Sequence, residues 1–192
     1  MITREQIYTA AAQIFSEKGY HATSMQDIAE AVGRKKASLY HHIVSKQEIL
    51  LALLDQAMDL VIEQVSSAVQ AEAPPPEKLR SAMRTYLQTL AEDGELTAVL
   101  LLEHRSLSPQ LHSRHLPRRD RFERLWRDLI QEGVDTGDFE CEDPAQAMRA
   151  LLGLMNWTIT WYRADGPLSP VEIADQFADL ILRGLLPREG QR

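Results

Sequence analysis

Ser24-Met25-Gln26-Asp27-Ile28-Ala29-Glu30-Ala31-Val32-Gly33-Arg34-Lys35-Lys36-Ala37-Ser38-Leu39-Tyr40-His41-His42 is the stretch that decides the fold. Ser24 caps a short helix carrying Met25, Ile28, Ala29 and Val32, and Gly33 ends it. A second short helix, over residues 36–42, carries Ala37, Leu39 and Tyr40. Ile28, Ala29, Val32 and Leu39 form the inner faces of the pair, and small Ala29 lets the helices approach closely. Gly33 takes the positive φ that a tight turn needs at little steric cost. Helix, glycine turn and short second helix make a helix-turn-helix pattern.

The outward residue types suit DNA. Lys35, Lys36 and Lys46 are candidates to neutralise phosphates, about three per head, which for two heads predicts a log–log salt slope near −5. Ser24 sits at a helix N-terminus, where free N–H groups and the positive dipole end attract a phosphate. Tyr40 can donate its hydroxyl to a phosphate, and His41 lies beside it. Ala37 and Ser38 are small enough to let backbone approach base edges, and the Ala37 methyl suits a thymine methyl. The duller reading of the lysines is solvated surface, and of Tyr40 a structural ring. His41 and His42 are not a metal pair, because neighbours on a helix do not share a face.

Charge distribution supports that reading. The 192 residues carry a net charge of −7, which by itself argues against a polyanion partner. Residues 1–46 nevertheless carry +2 and the remainder −9, and between Glu30 and Glu48 there are four bases and no acid. The longest uncharged apolar runs, 49–54 and 96–102, are too short to span a bilayer, so no membrane partner is expected. The N-terminal residues lack the apolar run of a signal peptide, and a cytoplasmic location is expected. The single cysteine, Cys141, excludes an intrachain disulfide framework and the usual thiolate zinc site. His112 and His115 are three apart, but no third metal ligand is evident.

Outward from this motif the chain reads as all-α, with about nine helices and no convincing strand. Thr3, with Gln6 at the capping-box position, opens a first helix that Gly19 stops. Ser45 and Glu48 open a long fourth helix over residues 46–72, which joins an N-terminal head (1–46) to a larger helical domain (47–192). Pro74, Pro75 and Pro76 mark a linker or domain edge. Further helices are predicted over 77–92, 96–105, 118–135, 144–164 and 170–185, with Pro117 read as a break and Asp143-Pro144 as a helix start.

Phe15, Gly19, Tyr20, Thr23, Ser24, Ile28, Ala29, Ala31, Gly33, Ser38, Leu39, Tyr40, His41, Ser45, Lys46 and Leu50 together resemble the DNA-binding pattern of the TetR family of bacterial transcriptional regulators. The resemblance covers about the first 50 residues. Arg34, Lys35 and Ile43 depart from it, the first two making the turn more basic and Ile43 keeping an apolar plug. It implies a homodimer whose two heads enter successive major grooves of a palindromic double-stranded operator. It also implies a C-terminal domain that binds a small effector and spreads the heads. Residues 156–169, unusually aromatic for a helix end, resemble the FadR-like and PaaR-like regulators, whose ligands are acyl-CoA thioesters.

The residues themselves carry part of that expectation. Seven arginines fall between Glu103 and Arg127, and arginine forks suit phosphate, although a solvated face paired to Asp120, Glu123 and Asp128 is the competing reading. An acyl chain needs an apolar lining, with candidates Tyr86, Leu90, Leu101, Phe122, Trp126, Leu152, Met155, Asn156 and Ile159. Asn156 is placed on the thioester carbonyl, and Arg105, Arg118, Arg119 and Arg121 on the CoA phosphates. A dimer interface is expected from the last two long helices through Leu151, Leu154, Trp161, Ile173, Phe177, Leu180 and Ile181. No catalytic residue, metal or cofactor is expected. The alternatives are a repressor of an efflux gene answering to a lipophilic drug, with Glu103 as its buried acid, and an all-α enzyme or carrier of acyl-CoA.

Overall fold

The computed structural model describes residues 2–185. These fold into nine α-helices with no strand among the described residues: α1 (Arg4–Lys18), α2 (Met25–Ala31), α3 (Lys36–Leu39), α4 (Lys46–Val69), α5 (Pro75–Glu92), α6 (Gly94–Glu103), α7 (Pro109–Thr136), α8 (Pro144–Asn156) and α9 (Pro170–Leu185). Single 3-10 turns follow α6 (His104–Ser106) and α8 (Trp157–Thr160). No helix among the described residues is long and apolar enough to cross a membrane.

The chain divides into two compact units. The first takes the chain up to Leu60 together with Asp93–Arg119; the second takes Val61–Glu92 and the chain from Asp120 onward. This division differs from the sequence boundary at residue 46. α6 packs on α1, so a segment far along the chain joins the N-terminal helices. Apolar α6, with Thr97, Ala98, Val99 and Leu100 buried, needs a partner surface, and α1 offers one.

In the first unit, Ile7, Ala11, Phe15, Ile28, Ala29 and Leu39 are buried, as the pattern of the helix-turn-helix requires. Thr3 and Gln6 close a capping box on α1, and Gly19 leaves it at φ 81°. Gly33 makes the α2–α3 turn at φ 63°. The third helix is shorter than the predicted 36–42. It makes one α-turn, after which the Ile43 N–H bonds the Leu39 carbonyl. Its end is held from outside, the Arg4 Nε donating to the His42 carbonyl at 2.9 Å.

In the second unit α5 packs on α9, and α8 on α9. The boundaries differ from the sequence reading at three prolines and one helix end. Pro75 and Pro76 do not form a linker but supply the first turn of α5, where a missing N–H costs nothing. Pro117 does not break α7, which runs through it for 28 residues. The predicted helix 144–164 stops at Asn156, where the backbone tightens into the 3-10 turn and the Thr158 Oγ1 donates to the Met155 carbonyl at 2.7 Å.

Candidate DNA interface and effector site

The surface of α2 and α3 carries the basic residues that the sequence singles out. Lys35, Lys36, Ala37 and His41 are exposed, Tyr40 is half-exposed, and Ser38 is partly buried. Leu39 alone of this turn is fully buried, and it anchors the short helix while its neighbours face solvent. The helix-turn-helix therefore places two lysines, two small residues and two aromatic polar groups on one continuous loop-and-turn surface.

Two expectations for this surface need correction. Lys46 is not a free cation for phosphate. Its Nζ donates to the carbonyls of Tyr20, at 2.8 Å, and Thr23, and lies 4.2 Å from the centre of the Tyr20 ring. It ties the start of α4 to the turn before α2, and burial lowers its pKa. Ser24 is likewise engaged. Its Oγ accepts from the Asp27 N–H, and its own N–H is held by the Asp27 carboxylate at 2.7 Å. An anion of the protein thus already sits at the N-terminus of α2, and the Ser24 side chain keeps only its hydroxyl hydrogen to offer a phosphate.

Tyr20 is the centre of a polar network that the sequence did not disclose. Its N–H donates to the Glu103 Oε1 at 2.9 Å, and its hydroxyl accepts from the Gln47 Nε2 at 2.8 Å. Gln47 also bonds the Ser106 carbonyl and the Ser108 N–H. Glu103 accepts from the Ser106 Oγ, which also meets the His21 Nε2 at 3.1 Å. The links from Tyr20 to Glu103, from Gln47 to Ser106 and Ser108, and from His21 to Ser106 join residues 59–85 apart in sequence, beyond the reach of any local pattern. Glu103 is therefore committed to the backbone of the head, and the drug-responsive alternative loses its one candidate acid.

The arginine cluster is partly paired, in part with acids of α4 that the sequence did not single out. Arg118 bonds Asp59 and Asp55 on α4, and Arg114 bonds Glu48 there. Among the acids expected as partners, Asp128 meets Arg127 at 3.5 Å. Arg105, Arg119 and Arg121 are exposed. His115 is buried, and its Nδ1 lies 2.8 Å from Asp55, so it is held by a carboxylate. No group of three or more His, Cys, Asp or Glu among the described residues is placed to hold a metal ion.

The second unit brings four of the predicted lining residues into contact. Tyr86, Phe122 and Trp126 form a triangle of rings with centroids 5.4, 5.9 and 6.1 Å apart. The Tyr86 hydroxyl donates to the Asn156 Oδ1 at 2.8 Å, and burial holds the phenol neutral by raising its pKa. Leu152 and Met155 are buried one turn and one residue before Asn156 on α8, Leu90 is buried on α5, and Ile159 lies in the 3-10 turn after α8. Leu101, Arg105, Arg118 and Arg119 belong to the first unit instead. One atom in the triangle stands out. Trp126 Nε1 is buried without a hydrogen-bond partner among the described residues, which ordinarily costs about 1–3 kcal/mol.

The predicted dimer residues separate into two sets. Leu151 and Ile173 are corrected: they are buried within their own unit and have no surface left to offer a second chain. Trp161 and Leu180 are exposed, at 45% and 64%, and Leu154, Phe177 and Ile181 are partly so. Trp157, which the sequence reading did not select, is 66% exposed. The Trp161 and Phe177 rings touch edge to face at 6.4 Å, so α9 and the turn after α8 share this apolar face.

Comparison with known proteins agrees with the architecture. Residues 7–53 match the family model described as bacterial regulatory proteins, tetR family, and residues 72–185 match the tetracyclin repressor-like C-terminal domain. The chain belongs to the TetR family, a family of DNA-binding transcriptional regulators. It is similar to the TetR family transcriptional regulator PfmR from Thermus thermophilus, with 40% identity, a TM-score of 0.85, and 95% of this chain and 99% of that one covered. It is similar to the transcriptional repressor KstR2 of Mycobacterium tuberculosis, 26% identical over 95% of this chain and 92% of that protein. A structure of AibR in complex with isovaleryl coenzyme A and operator DNA is 32% identical with a TM-score of 0.82, and 95% of this chain and 97% of that one are covered.

Proposed function

We propose that this chain is a ligand-responsive transcriptional repressor that binds a palindromic operator as a homodimer and is released by an acyl-CoA thioester. The observation that carries the reading is the pairing of two features in one chain. One is a basic, exposed helix-turn-helix surface. The other is a buried, uncharged aromatic cluster with polar groups at its centre. AibR, a relative over nearly the whole length, is described with an acyl-CoA and operator DNA together, which supports the same pairing here.

Lys35 and Lys36 contact phosphates, and Ala37, Ser38, Tyr40 and His41 face the bases and backbone. With Lys46 engaged inside the head, each head neutralises about two phosphates, and the expected salt slope becomes about −4. Tyr86, Phe122, Trp126 and Asn156 receive the acyl part, with Leu152 and Met155 behind them. Arg121 and Arg124, exposed on α7 in the second unit, supply cations for the CoA phosphates. Release follows only if the effector prefers the conformation that does not fit DNA; a hundredfold preference is worth about 2.7 kcal/mol per site.

Two chains associate through the apolar face of Trp157, Trp161, Phe177 and Leu180, since apolar rings of this size gain most from leaving water. The direct test titrates protein bound to the DNA upstream of its own gene with acyl-CoAs of increasing chain length, free CoA and the free acids. Thioesters are expected to displace the DNA at concentrations where free CoA and free acids do not. Displacement by free acid at equal concentration, or by no thioester at all, overturns the effector class.

A further inference from the structure

Trp126 occupies the middle of the second unit with its ring fully shielded from solvent. Phenylalanine would fill much of that space without bringing a polar atom. The indole instead buries an N–H that no described residue satisfies. Buried donors in folded proteins are nearly always paired, and an exception marks a place where something else accepts.

The surroundings say what that acceptor is. Tyr86 and Phe122, whose rings touch the indole, bring no cation. The Tyr86 hydroxyl is spent on the Asn156 Oδ1, so the polar group that Asn156 has left is its Nδ2, a second donor. Tyr86 touches the indole and bonds Asn156, so both N–H donors belong to groups in contact with it, while its own oxygen keeps acceptor lone pairs. An N–H without an acceptor suits an oxygen with lone pairs. Neither ring that touches the indole brings a cation, and a carboxylate buried without a counter-charge is costly. A neutral carbonyl oxygen fits.

We propose that the Trp126 indole N–H is a specificity-determining donor for the carbonyl oxygen of the effector, distinguishing a thioester from a thioether of the same shape. The proposal rests on the acyl-thioester reading above.

The test compares isovaleryl-CoA with its carbonyl-free analogue S-isopentyl-CoA, and decanoyl-CoA with S-decyl-CoA, on the wild-type protein and Trp126→Phe. Operator release is read by fluorescence anisotropy. The wild type is expected to respond to the thioester about tenfold or more below the concentration needed for the thioether. In Trp126→Phe the two are expected to fall within about threefold of each other, with the thioether unchanged. Operator affinity and thermal unfolding of the variant serve as the check on its fold. A second readout does not depend on the variant being folded. With 15N-labelled tryptophan in the wild type, one of three indole resonances moves downfield with thioester and stays put with thioether.

A wild type that treats each thioester and thioether alike, or a Trp126→Phe variant that keeps the wild-type discrimination, overturns the role of the indole. That outcome leaves the CoA reading standing, because both compounds still bind. If neither length of either compound binds or releases DNA, the acyl-CoA reading falls and this inference falls with it.

Discussion

Lys46 shows how a residue type can be read correctly and its task misread. A lysine at the foot of a DNA-binding head is a natural phosphate ligand in sequence. In the structure its ammonium is turned inward onto the Tyr20 and Thr23 carbonyls. Lys46→Ala is therefore expected to destabilise the protein by about 1–3 kcal/mol in urea unfolding, because two carbonyls lose their charged donor. The same variant is expected to leave the salt slope of DNA binding nearly unchanged, where Lys36→Ala shallows it by about two, one phosphate per head. An unaltered unfolding midpoint with a shallower slope for Lys46→Ala would restore the phosphate role. The exposed positions Lys35, Lys36, Ala37 and His41 were legible because a short helix with one buried leucine leaves its other residues to solvent. Tyr20, Gln47 and Glu103 were not, because their bonds join segments that no periodicity connects.

At the scale of helices, capping residues were the most legible feature. Thr3, Ser24 and Ser45 each cap as their sequence context indicates, since a cap depends only on residues within one turn. Helix interiors and ends were less so. Pro117 sits inside α7 because tertiary packing of a long helix outweighs one missing backbone bond. Gly133, also in α7, has an equally non-local reason: a methyl group added there would fall inside the ring of buried Phe139, whose N–H bonds the Gly133 carbonyl. Alanine raises helix propensity by about 1 kcal/mol, but the overpacking costs about 1–3 kcal/mol. Gly133→Ala is thus expected to lower stability, and a raised melting temperature would contradict this. The α5–α9 pairing adds a pH dependence. Arg84, and then Arg80, hold the Asp175 carboxyl below its usual range. A depressed pKa contributes stability above the unfolded value of about 3.9 that is lost as pH falls through the folded one. Asp175→Asn is expected to flatten the acid limb of a stability–pH curve and leave its shape above about pH 5 unaltered.

At the scale of the molecule, the two compact units cut across chain order, with α6 and the start of α7 joining the N-terminal helices. The exposed face of Trp161 and Leu180 belongs to the second unit. Leu180→Glu combined with Trp161→Ser is expected to convert a dimer to a monomer by light scattering at micromolar concentration. Operator affinity is then expected to fall by at least about a hundredfold, the effective-concentration advantage of two linked heads. A double variant that keeps dimer mass shows that another surface joins the chains.

The amino-acid sequence by itself determined the all-α class, the helix-turn-helix and the family, because these rest on short-range spacing: a cap, a glycine turn and apolar residues three and four apart. It also singled out Tyr86, Phe122, Trp126 and Asn156 as candidates for one lining. Only the tertiary structure decided that these four meet, that Tyr86 takes the Asn156 oxygen, and that the indole N–H is left over. It alone turned Lys46 and Glu103 from surface and pocket candidates into ties within the head. The physical reason is the same in each case. Which donor finds which acceptor depends on distances between segments tens of residues apart, and folding sets those distances by burying apolar faces that are largely indifferent to the polar atoms they carry inside.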